Sequence, residues 1–461
     1  MTAIHASAAA PAPVLPVPTD RQMAWHEREM IAFAHFTVNT FTDREWGLGD
    51  EDPRIFNPTA FDADQWARTC RDGGLKMLIL TCKHHDGFCL WPSPLTRHSV
   101  ASSPWRGGQG DMVREVSDAC RRAGIAFGTY LSPWDRHEPC YGDSPRYNAY
   151  YLNQLTELMT GYGKVSEVWF DGACGEGPNG KRQAYDFPAY RAVVRRLQPD
   201  AVMFSDAGPD IRWVGNETGY AADPNWATID AAKMIVGKPN PDQTHGVPGG
   251  PDWVPTEVDV SIRPGWFYHA AEDAKVKTLA ELLDIYYASV GLGGVLLLNI
   301  PPDRRGLMHE IDASRLREFR AAVEATFAED LARSKVASAT SERGGGAAFA
   351  PANALDGRID TYWAAADGVT TAALEVDLGR PVTFNRAVIQ EYVRLGQRVM
   401  AFAFDAWDGG AWREVSRGQT IGYKRILRFP AVTAPRVRLR IEQARACPTI
   451  STLGLYRSAE A

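Results

Sequence analysis

The chain has 461 residues, which is enough for two or three domains or for one large barrel with a smaller domain attached. Apolar residues make up 45% and charged residues 23% of it, a globular composition that excludes a disordered or fibrous chain. The net charge of −6 excludes a broadly basic surface, so no nucleic-acid partner is expected.

Short apolar runs alternate with amphipathic helical patterns along the first two thirds of the chain. The runs are 33–38, 77–82, 125–132, 167–171, 202–206 and 294–300, and the helical patterns are 62–72, 111–123, 148–162, 187–197 and 278–290. Continuous apolar strands indicate a parallel sheet that is buried on both faces. With two more strands in the segment 207–277, the pattern predicts a (β/α)8-type barrel over 21–335, preceded by a flexible tail at 1–20.

The composition changes beyond the barrel pattern. Residues 338–346 (SATSERGGG) are typical of a linker or an exposed loop. Short alternating strands without helical patterns follow at 373–378, 387–390, 402–406, 426–429 and 436–441. We therefore predict an α/β barrel domain followed by an all-β sandwich domain over 345–461.

The cellular location is inferred from the cysteines and the N-terminal segment. The seven cysteines are odd in number and lack a repeated Cys-x-x-Cys spacing, so buried free thiols are expected rather than a zinc cage or disulfides. Residues 1–18 contain no Lys or Arg and do not resemble a signal peptide. A cytoplasmic location without a membrane partner is predicted; a periplasmic or secreted location is the alternative if a signal peptide has been omitted. The oligomeric state is left open.

Each of the six apolar runs finishes on polar residues or is followed directly by them. They are His35 and Asn39, then Lys83, His84 and His85, then Ser132, Trp134 and Asp135, and finally Asp171, Asp206 and Asn299. The carboxyl ends of barrel strands converge on one mouth, where barrel enzymes carry their active sites. The pattern favours an enzyme.

Two carboxylates stand out as a catalytic pair. Asp171 follows an apolar and aromatic strand and precedes Gly172, which allows close approach of a ligand. Glu217 lies in a loop flanked by glycines. A retaining glycosidase needs one carboxylate as nucleophile and a second carboxyl group as acid and base. Spacing alone does not separate Glu217 from three other candidates for the second role, Asp135, Asp206 and Asp223.

Histidines and tryptophans supply further candidates. A metal site at His84 and His85 is disfavoured, because adjacent strand residues point to opposite faces and no third ligand stands at a familiar spacing. Hydrogen bonds to sugar hydroxyl groups are the preferred use of these side chains. Five tryptophans are candidates for stacking on a sugar or for core packing: Trp46, Trp91, Trp134, Trp226 and Trp266.

Four motifs in this order resemble glycoside hydrolase family 29, the α-L-fucosidases. They are 83–88 (KHHDGF), 128–135 (GTYLSPWD), 169–172 (WFDG) and 215–217 (GNE), and the resemblance covers about residues 20–330. It implies that Asp171 is the nucleophile. It also implies that Glu217 is the acid/base, as in the branch of the family that prefers α-1,3- and α-1,4-linked fucose.

The same resemblance implies the remaining site residues and the cofactor requirement. The side chains implied to bind the sugar are His35, Glu45, Trp46, His84, His85 and Tyr130. No metal or organic cofactor is required in the active site. The expected partner is a fucosylated oligosaccharide or glycoconjugate.

The C-terminal segment resembles discoidin-type sandwiches of family 32 carbohydrate-binding modules. The residues that carry this resemblance are 354–357 (ALDG), Asp360, Trp363 and 374–379 (LEVDLG). It implies a structural calcium ion with Asp356 as a ligand. A purely structural sandwich is the alternative to a sugar-binding module.

The hypothesis from the sequence is a retaining exo-α-L-fucosidase that acts on α-1,3/1,4-linked fucose. One alternative is a broad or α-1,2-preferring fucosidase with a different acid/base. The other, from a different class, is a glycan-binding protein without catalytic activity.

Overall fold

The computed structural model describes residues 9–206, 208–238 and 240–459. The strands are β1 (Met30–Ala34), β2 (Met77–Lys83), β3 (Ala126–Leu131), β4 (Glu167–Trp169), β5 (Val202–Ser205), β6 (Ile211–Trp213), β7 (Thr228–Ile229), β8 (Asp252–Trp253), β9 (Thr256–Ser261), β10 (Val295–Asn299), β11 (Val336–Ala339), β12 (Trp363–Ala364), β13 (Ala372–Glu391), β14 (Val399–Trp407), β15 (Trp412–Gly418), β16 (Arg425–Ala444) and β17 (Thr449–Tyr456). The helices are α1 (Asp20–His26), α2 (Val38–Thr42), α3 (Ala63–Asp72), α4 (Met112–Ala123), α5 (Ser144–Gly161), α6 (Phe187–Leu197), α7 (Pro241–His245), α8 (Leu279–Ser289) and α9 (Glu310–Phe327). Within the described ranges, none of these helices has the length and apolarity needed to cross a membrane.

Eight parallel strands form a closed barrel in the order β1-β10-β9-β6-β5-β4-β3-β2. The segment 207–277 holds the two strands expected there, β6 and β9, so the predicted barrel is confirmed. One repeat departs from the β/α alternation. Strand β5 ends at Ser205 and β6 begins at Ile211, a connection too short for a crossover helix.

The first barrel strand lies earlier in the chain than the sequence pattern predicts. The apolar run 33–38 was expected to be the strand, but β1 ends at Ala34 and Thr37 caps α2 by accepting a hydrogen bond from the backbone N–H of Asn39. His35 therefore comes directly after the strand, at the mouth of the barrel.

The amino-terminal end of the barrel is closed by α1. Its Trp25 is fully buried among the side chains that fill the barrel, including Ile31 and Phe33. The indole Nε1 of Trp25 donates a hydrogen bond to Glu167 Oε2 at 2.9 Å. Since this end is plugged, ligands have access to the barrel from the opposite end.

The C-terminal domain is an all-β sandwich, as predicted. Its strands pair in the order β12-β17-β13-β16-β14-β15, and β11 pairs with β13. The sequence runs predicted separate strands at 373–378 and 387–390, but β13 is one long strand with a break in register between Asp377 and Val382. The predicted linker at 338–346 is also partly wrong, because β11 reaches Ala339 as part of this sheet.

The N-terminal tail and the sandwich contact each other. Residues 1–8 of the predicted tail lie outside the described residues. Within the described part, the Val14 N–H donates to the Leu395 carbonyl at 2.9 Å, and the Arg398 guanidinium donates to the Ala12 carbonyl at 2.8 Å. This stretch of the predicted tail therefore contacts the second domain.

Hydrogen bonds and ion pairs join the barrel to the sandwich. Gln397 accepts from the Ala227 N–H at 2.8 Å and donates to the Asn225 carbonyl at 3.1 Å. Arg425 of the sandwich pairs with Asp223 of the barrel domain at 2.6 Å. The two domains therefore share a polar interface in which backbone groups of one are satisfied by side chains of the other.

Candidate active site

Two adjoining cavities lie at the carboxyl ends of the barrel strands. The first cavity has a volume of about 190 Å³ and is lined on one side by the histidines that follow β1 and β2. The second cavity has a volume of about 310 Å³ and is lined by residues that follow β5 and β6. Both are lined by Asp171, Glu217, Trp169, Ala173 and Asp259. The two carboxylates singled out in the sequence therefore lie where the cavities meet.

Asp171 is held by donors on both carboxylate oxygens. The Tyr130 hydroxyl donates to Oδ2 at 2.8 Å, and the Ala173 N–H donates to Oδ1 at 2.7 Å. The His85 ring nitrogen Nε2 lies 3.7 Å from Oδ2. Asp171 is only partly exposed, so the hydrogen bonds from Tyr130 and Ala173 fix one orientation of its carboxylate toward the cavities.

The histidines of the first cavity are neutral at physiological pH. Burial lowers the pKa of His35 to about 3 and also lowers the pKa of His84 and His85. For a histidine, burial penalises the charged imidazolium form. Each ring therefore offers one donor and one acceptor nitrogen.

Hydrogen bonds fix the tautomers of two of these histidines. Asn299 donates from Nδ2 to other groups, so its Oδ1 accepts from His35 Nδ1 at 2.8 Å. Ser132 donates to the Trp134 carbonyl, so its hydroxyl oxygen accepts from His85 Nδ1 at 2.7 Å. In both rings Nε2 is left as the acceptor, which suits a ligand hydroxyl group.

Glu217 is exposed and contacts Trp266. The indole Nε1 of Trp266 donates to Glu217 Oε2 at 3.1 Å. Trp266 is itself held by Glu45, whose Oε2 accepts the Trp266 backbone N–H at 2.7 Å. The other oxygen of Glu45 accepts from the Phe267 N–H and contacts His269. The structure thus places Glu45 at the cavity wall with both oxygens engaged in holding a loop.

The five candidate tryptophans divide into cavity and core residues. Trp46 and Trp266 line the first cavity, and Trp46 is 57% exposed with its ring edge-on to His85 and Trp134. Trp91, Trp134 and Trp226 are buried and belong to the core. The sequence alone did not separate these groups.

Two of the three rival acids are engaged away from the cavities. Asp135 pairs with the buried Lys83 at 2.8 Å, and although burial opposes ionisation, this ammonium and two backbone N–H groups hold the pKa of Asp135 below its usual value. Asp223 pairs with Arg425 at the domain interface. Asp206 lines the second cavity, where burial raises its pKa to about 6.

Three carboxyl groups in the barrel interior were not singled out from the sequence. Glu167 and Glu257 are fully buried, and Glu257 Oε1 accepts from the Trp169 indole at 2.8 Å. Asp259, two residues farther along β9, accepts from the Trp213 indole at 2.8 Å and lines both cavities. Side chains alternate between the two faces of β9, so Glu257 and Asp259 lie on the same face. This two-residue spacing is the sequence signal that could have identified the pair.

Burial raises the pKa of all three carboxyl groups. Among the described residues, Glu167 Oε1 and Glu257 Oε2 have no N–H or O–H donor, and the two carboxyl groups contact each other, so a shared proton would satisfy the pair. The pKa of Asp259 is raised well above its usual value by burial and by the negative charges of Glu217 and Asp171. These groups retain protons that exposed carboxylates lose.

Comparison with known proteins identifies the family of the barrel. A family model described as Alpha-L-fucosidase matches residues 14–324, and one described as F5/8 type C domain matches residues 336–452. The chain belongs to the alpha-L-fucosidase family. It is therefore a glycoside hydrolase with a discoidin-like second domain.

Individual alpha-L-fucosidases are similar over almost the whole chain. Alpha-L-fucosidase 1 of Arabidopsis thaliana is 46% identical over 451 residues, covering 97% of this chain and 88% of the plant protein. The crystal structure of SpGH29 is 42% identical, with a TM-score of 0.93 over 97% of this chain and 100% of that one. A Ruminococcus gnavus GH29 fucosidase, solved in complex with fucose, is 34% identical with a TM-score of 0.91 over 98% of each chain.

The predicted calcium site of this fucosidase has oxygen donors suited to the ion. Asp356 Oδ2 lies 2.7 Å from the Thr361 hydroxyl, and Asp356 Oδ1 accepts from the Arg358 N–H at 2.8 Å. Carboxylate and hydroxyl oxygens are hard ligands of the kind that calcium takes. Asp356 and Thr361 are the side chains whose oxygens this loop brings together.

The buried carboxyl pair of the enzyme predicts a pH-dependent stability. Because the pKa of each glutamate is raised by folding, the free energy of unfolding decreases as the pH rises above about 4.5. In Glu257→Gln the amide oxygen still accepts from Trp169, and the amide nitrogen donates to Glu167. Between pH 6 and pH 9, the free energy of unfolding should decrease less in the variant than in the wild type. The expected difference between the two decreases is about 1–3 kcal/mol.

Thermal and denaturant unfolding across this pH range measure the effect. Glu329→Gln is the control, since Glu329 is exposed and should retain the wild-type slope. An equal loss in Glu257→Gln and wild type would contradict the shared proton.

Proposed function

We propose that the protein is a retaining exo-α-L-fucosidase that removes α-1,3- or α-1,4-linked fucose from oligosaccharides or glycoconjugates. The observation that carries the proposal is that Asp171 and Glu217 both line the junction of the two cavities. Such an arrangement leaves room for the fucose on one side of the pair and for the rest of the glycan on the other.

In the first step, Asp171 attacks the anomeric carbon of fucose while the bond to the leaving oxygen breaks. Glu217 gives its proton to that oxygen, so the leaving sugar departs as an alcohol. The hydrogen bonds from Tyr130 and Ala173 hold the Asp171 carboxylate ready for attack. In the second step, Glu217 takes a proton from water, which displaces Asp171 and releases L-fucose with retained configuration.

The three neutral histidines are proposed to bind the hydroxyl groups of fucose. His35 and His85 present Nε2 as an acceptor, and neither carries a charge that would compete with Glu217 for the role of acid. Trp46 and Trp266 offer ring faces or edges to the apolar side of the sugar. Glu45 acts in this scheme mainly by holding the Trp266 loop.

The geometry of the site bears on both alternatives to this proposal. A broad or α-1,2-preferring enzyme would place the acid/base elsewhere, and Asp206 is the rival that also lines a cavity. A glycan-binding protein without activity would have no need of a carboxylate held by two donors beside a second carboxylate. That constellation favours the enzyme.

The roles of the carboxylates are tested by azide rescue with an activated aryl fucoside. In Glu217→Ala, azide should attack the glycosyl-enzyme and yield α-fucosyl azide. In Asp171→Ala, azide should replace the nucleophile and yield β-fucosyl azide. We expect activity without azide to fall at least about 100-fold in each variant. NMR of the products identifies the anomers.

Asp206→Ala is the matched comparison for the rival acid. It should form no fucosyl azide. Formation of α-fucosyl azide by Asp206→Ala, and not by Glu217→Ala, would move the acid/base role to Asp206.

Linkage preference is measured as free L-fucose from three substrates. A 3-fucosylated Lewis-type trisaccharide should be cleaved in preference to 2′-fucosyllactose, with an aryl fucoside as the reference. Preference for 2′-fucosyllactose would keep the family and overturn the linkage proposal. Release from none of the three would favour the glycan-binding alternative.

The sandwich is proposed to be a structural domain with a calcium ion at Asp356. The polar interface with the barrel supports the structural role. If calcium binds, its addition after treatment with EDTA should raise the Tm of the wild type and have no effect on Asp356→Ala. An identical Tm of the wild type with EDTA and with millimolar calcium would contradict the site.

A further inference from the structure

His269 lies between two carboxylates, and its protonation state follows from their positions. Its Nδ1 is 2.8 Å from Asp43 Oδ1, and its Nε2 is 2.7 Å from Glu45 Oε1. An ionised carboxylate only accepts hydrogen bonds, so both contacts are hydrogen bonds only if both ring nitrogens carry a proton. The geometry therefore requires an imidazolium at His269, in contrast to the neutral histidines of the first cavity.

The surroundings of His269 stabilise this charged form. Burial opposes the charge, but the hydrogen bonds to Asp43 and Glu45 raise the pKa of His269 above its ordinary value. Arg304, from the segment after β10, lies 3.9 Å from the same Asp43 oxygen. Glu272 accepts a backbone N–H of the loop that carries His269, at 3.2 Å. Two carboxylates thus contact the ring itself, and the neighbouring arginine contacts Asp43 instead.

The loop that carries His269 also carries the partner of Glu217. Trp266 donates its indole N–H to Glu217, and Phe267 packs edge-on against two histidines of the first cavity. The backbone N–H groups of Trp266 and Phe267 both donate to Glu45, the carboxylate that His269 contacts. The position of Trp266 therefore depends on Glu45, and the position of Glu45 depends on His269.

Gly265 gives this loop the room to close on the two side chains. A Cβ at this position would lie 2.5 Å from Glu45 Oε1 and 3.1 Å from the His269 ring. A Cβ atom and a carboxylate oxygen do not approach that closely, so a larger residue would displace Glu45 or the loop. The glycine is thus a second feature of the chain that fits the close contact between His269 and Glu45.

We propose that His269 is a positioning residue, which bridges Asp43 and Glu45 as an imidazolium and, through Glu45, holds Trp266 against Glu217. The juxtaposition of one ring with a carboxylate at each nitrogen carries the inference. Deprotonation leaves the ring with one N–H, so one contact loses its hydrogen bond and both lose the attraction between opposite charges. The inference rests on the proposed function, because a shift of Trp266 acts on catalysis through Glu217 only if Glu217 is the acid/base.

The experiment compares the wild type and His269→Gln across pH. The substrate is the better of the 3-fucosylated trisaccharide and 2′-fucosyllactose, since a sugar leaving group needs a proton from the acid/base. At pH 6, kcat/KM of the variant should be about tenfold lower, because its neutral amide has one nitrogen in place of two. As the pH rises to 9, the wild type loses its imidazolium, so the ratio of wild type to variant should fall toward one.

The pH dependence separates positioning by charge from a structural role. A structural defect lowers the activity of the variant by the same factor at each pH. A ratio that is constant between pH 6 and pH 9, or equal activities at pH 6, would overturn the proposal. His245→Gln is the matched control, since His245 is an exposed histidine of α7 and should keep the wild-type activity at each pH.

Nitrogen NMR follows the bridge without turnover. At pH 6, both ring nitrogens of His269 in the wild type should be protonated, and the loss of their signals in His269→Gln assigns them. The Trp266 indole signal, assigned by its loss in Trp266→Phe, should shift in His269→Gln and stay in place in His245→Gln. An unprotonated ring nitrogen at pH 6, or an unshifted indole signal, would contradict the bridge.

Failure of the proposed function gives a different result from failure of this inference. If no fucoside is cleaved, the proposed function fails, and the NMR spectra decide whether His269 holds Trp266. If azide rescue assigns the acid/base to Asp206, the catalytic consequence of the bridge is overturned. If the substrates are cleaved with Glu217 as acid/base and the activity ratio does not change with pH, the proposed function stands and the role of His269 is overturned.

Discussion

The pairing of β1 with β10 closes the barrel, and the site depends on this closure. It brings His35, at the end of the first strand, next to Asn299, at the end of the last, so that Nδ1 and Oδ1 are 2.8 Å apart. The pairing of β9 with β6 places Trp266, from the loop after β9, beside Glu217, from the loop after β6. Because all strands are parallel, every such contact forms at one end of the barrel, and the opposite end is free for Trp25 to fill.

Three indole–carboxylate hydrogen bonds recur at this end of the barrel. Trp169, Trp213 and Trp266 each donate from Nε1, to Glu257, Asp259 and Glu217 respectively. Each bond satisfies a tryptophan N–H that lies close to the cavities and orients one ring. Two of these hydrogen bonds require buried acceptors, and ionising a buried carboxyl group is costly. The pKa values of Glu257 and Asp259 are raised for this reason.

The sequence was sufficient for the architecture and for the carboxylates at the junction, because long apolar strands and motif order are strong signals. It was insufficient where elements are short. Strand β6 has three residues and its wall residue Trp213 carries no pattern of its own. Gln243 belongs to a five-residue helix in a long connection, and an unpartnered amide becomes visible only when its neighbours are known. The long strand β13 was divided in the prediction because its register break interrupts the alternation of apolar residues.

The long connection between β6 and β9 has a consequence for how this fold can diversify. The chain between β6 and β9, which carries Lys238 and Gln243, adds no strand to the closed barrel, but it supplies Asp223, Asn225 and Ala227 to the domain interface. Substitutions at its exposed residues, such as Lys238, alter the wall next to the junction of the two cavities at little expense to folding. Under the proposed function, acceptance of new glycans can therefore evolve separately from binding of the terminal sugar, whose proposed histidine ligands directly follow β1 and β2.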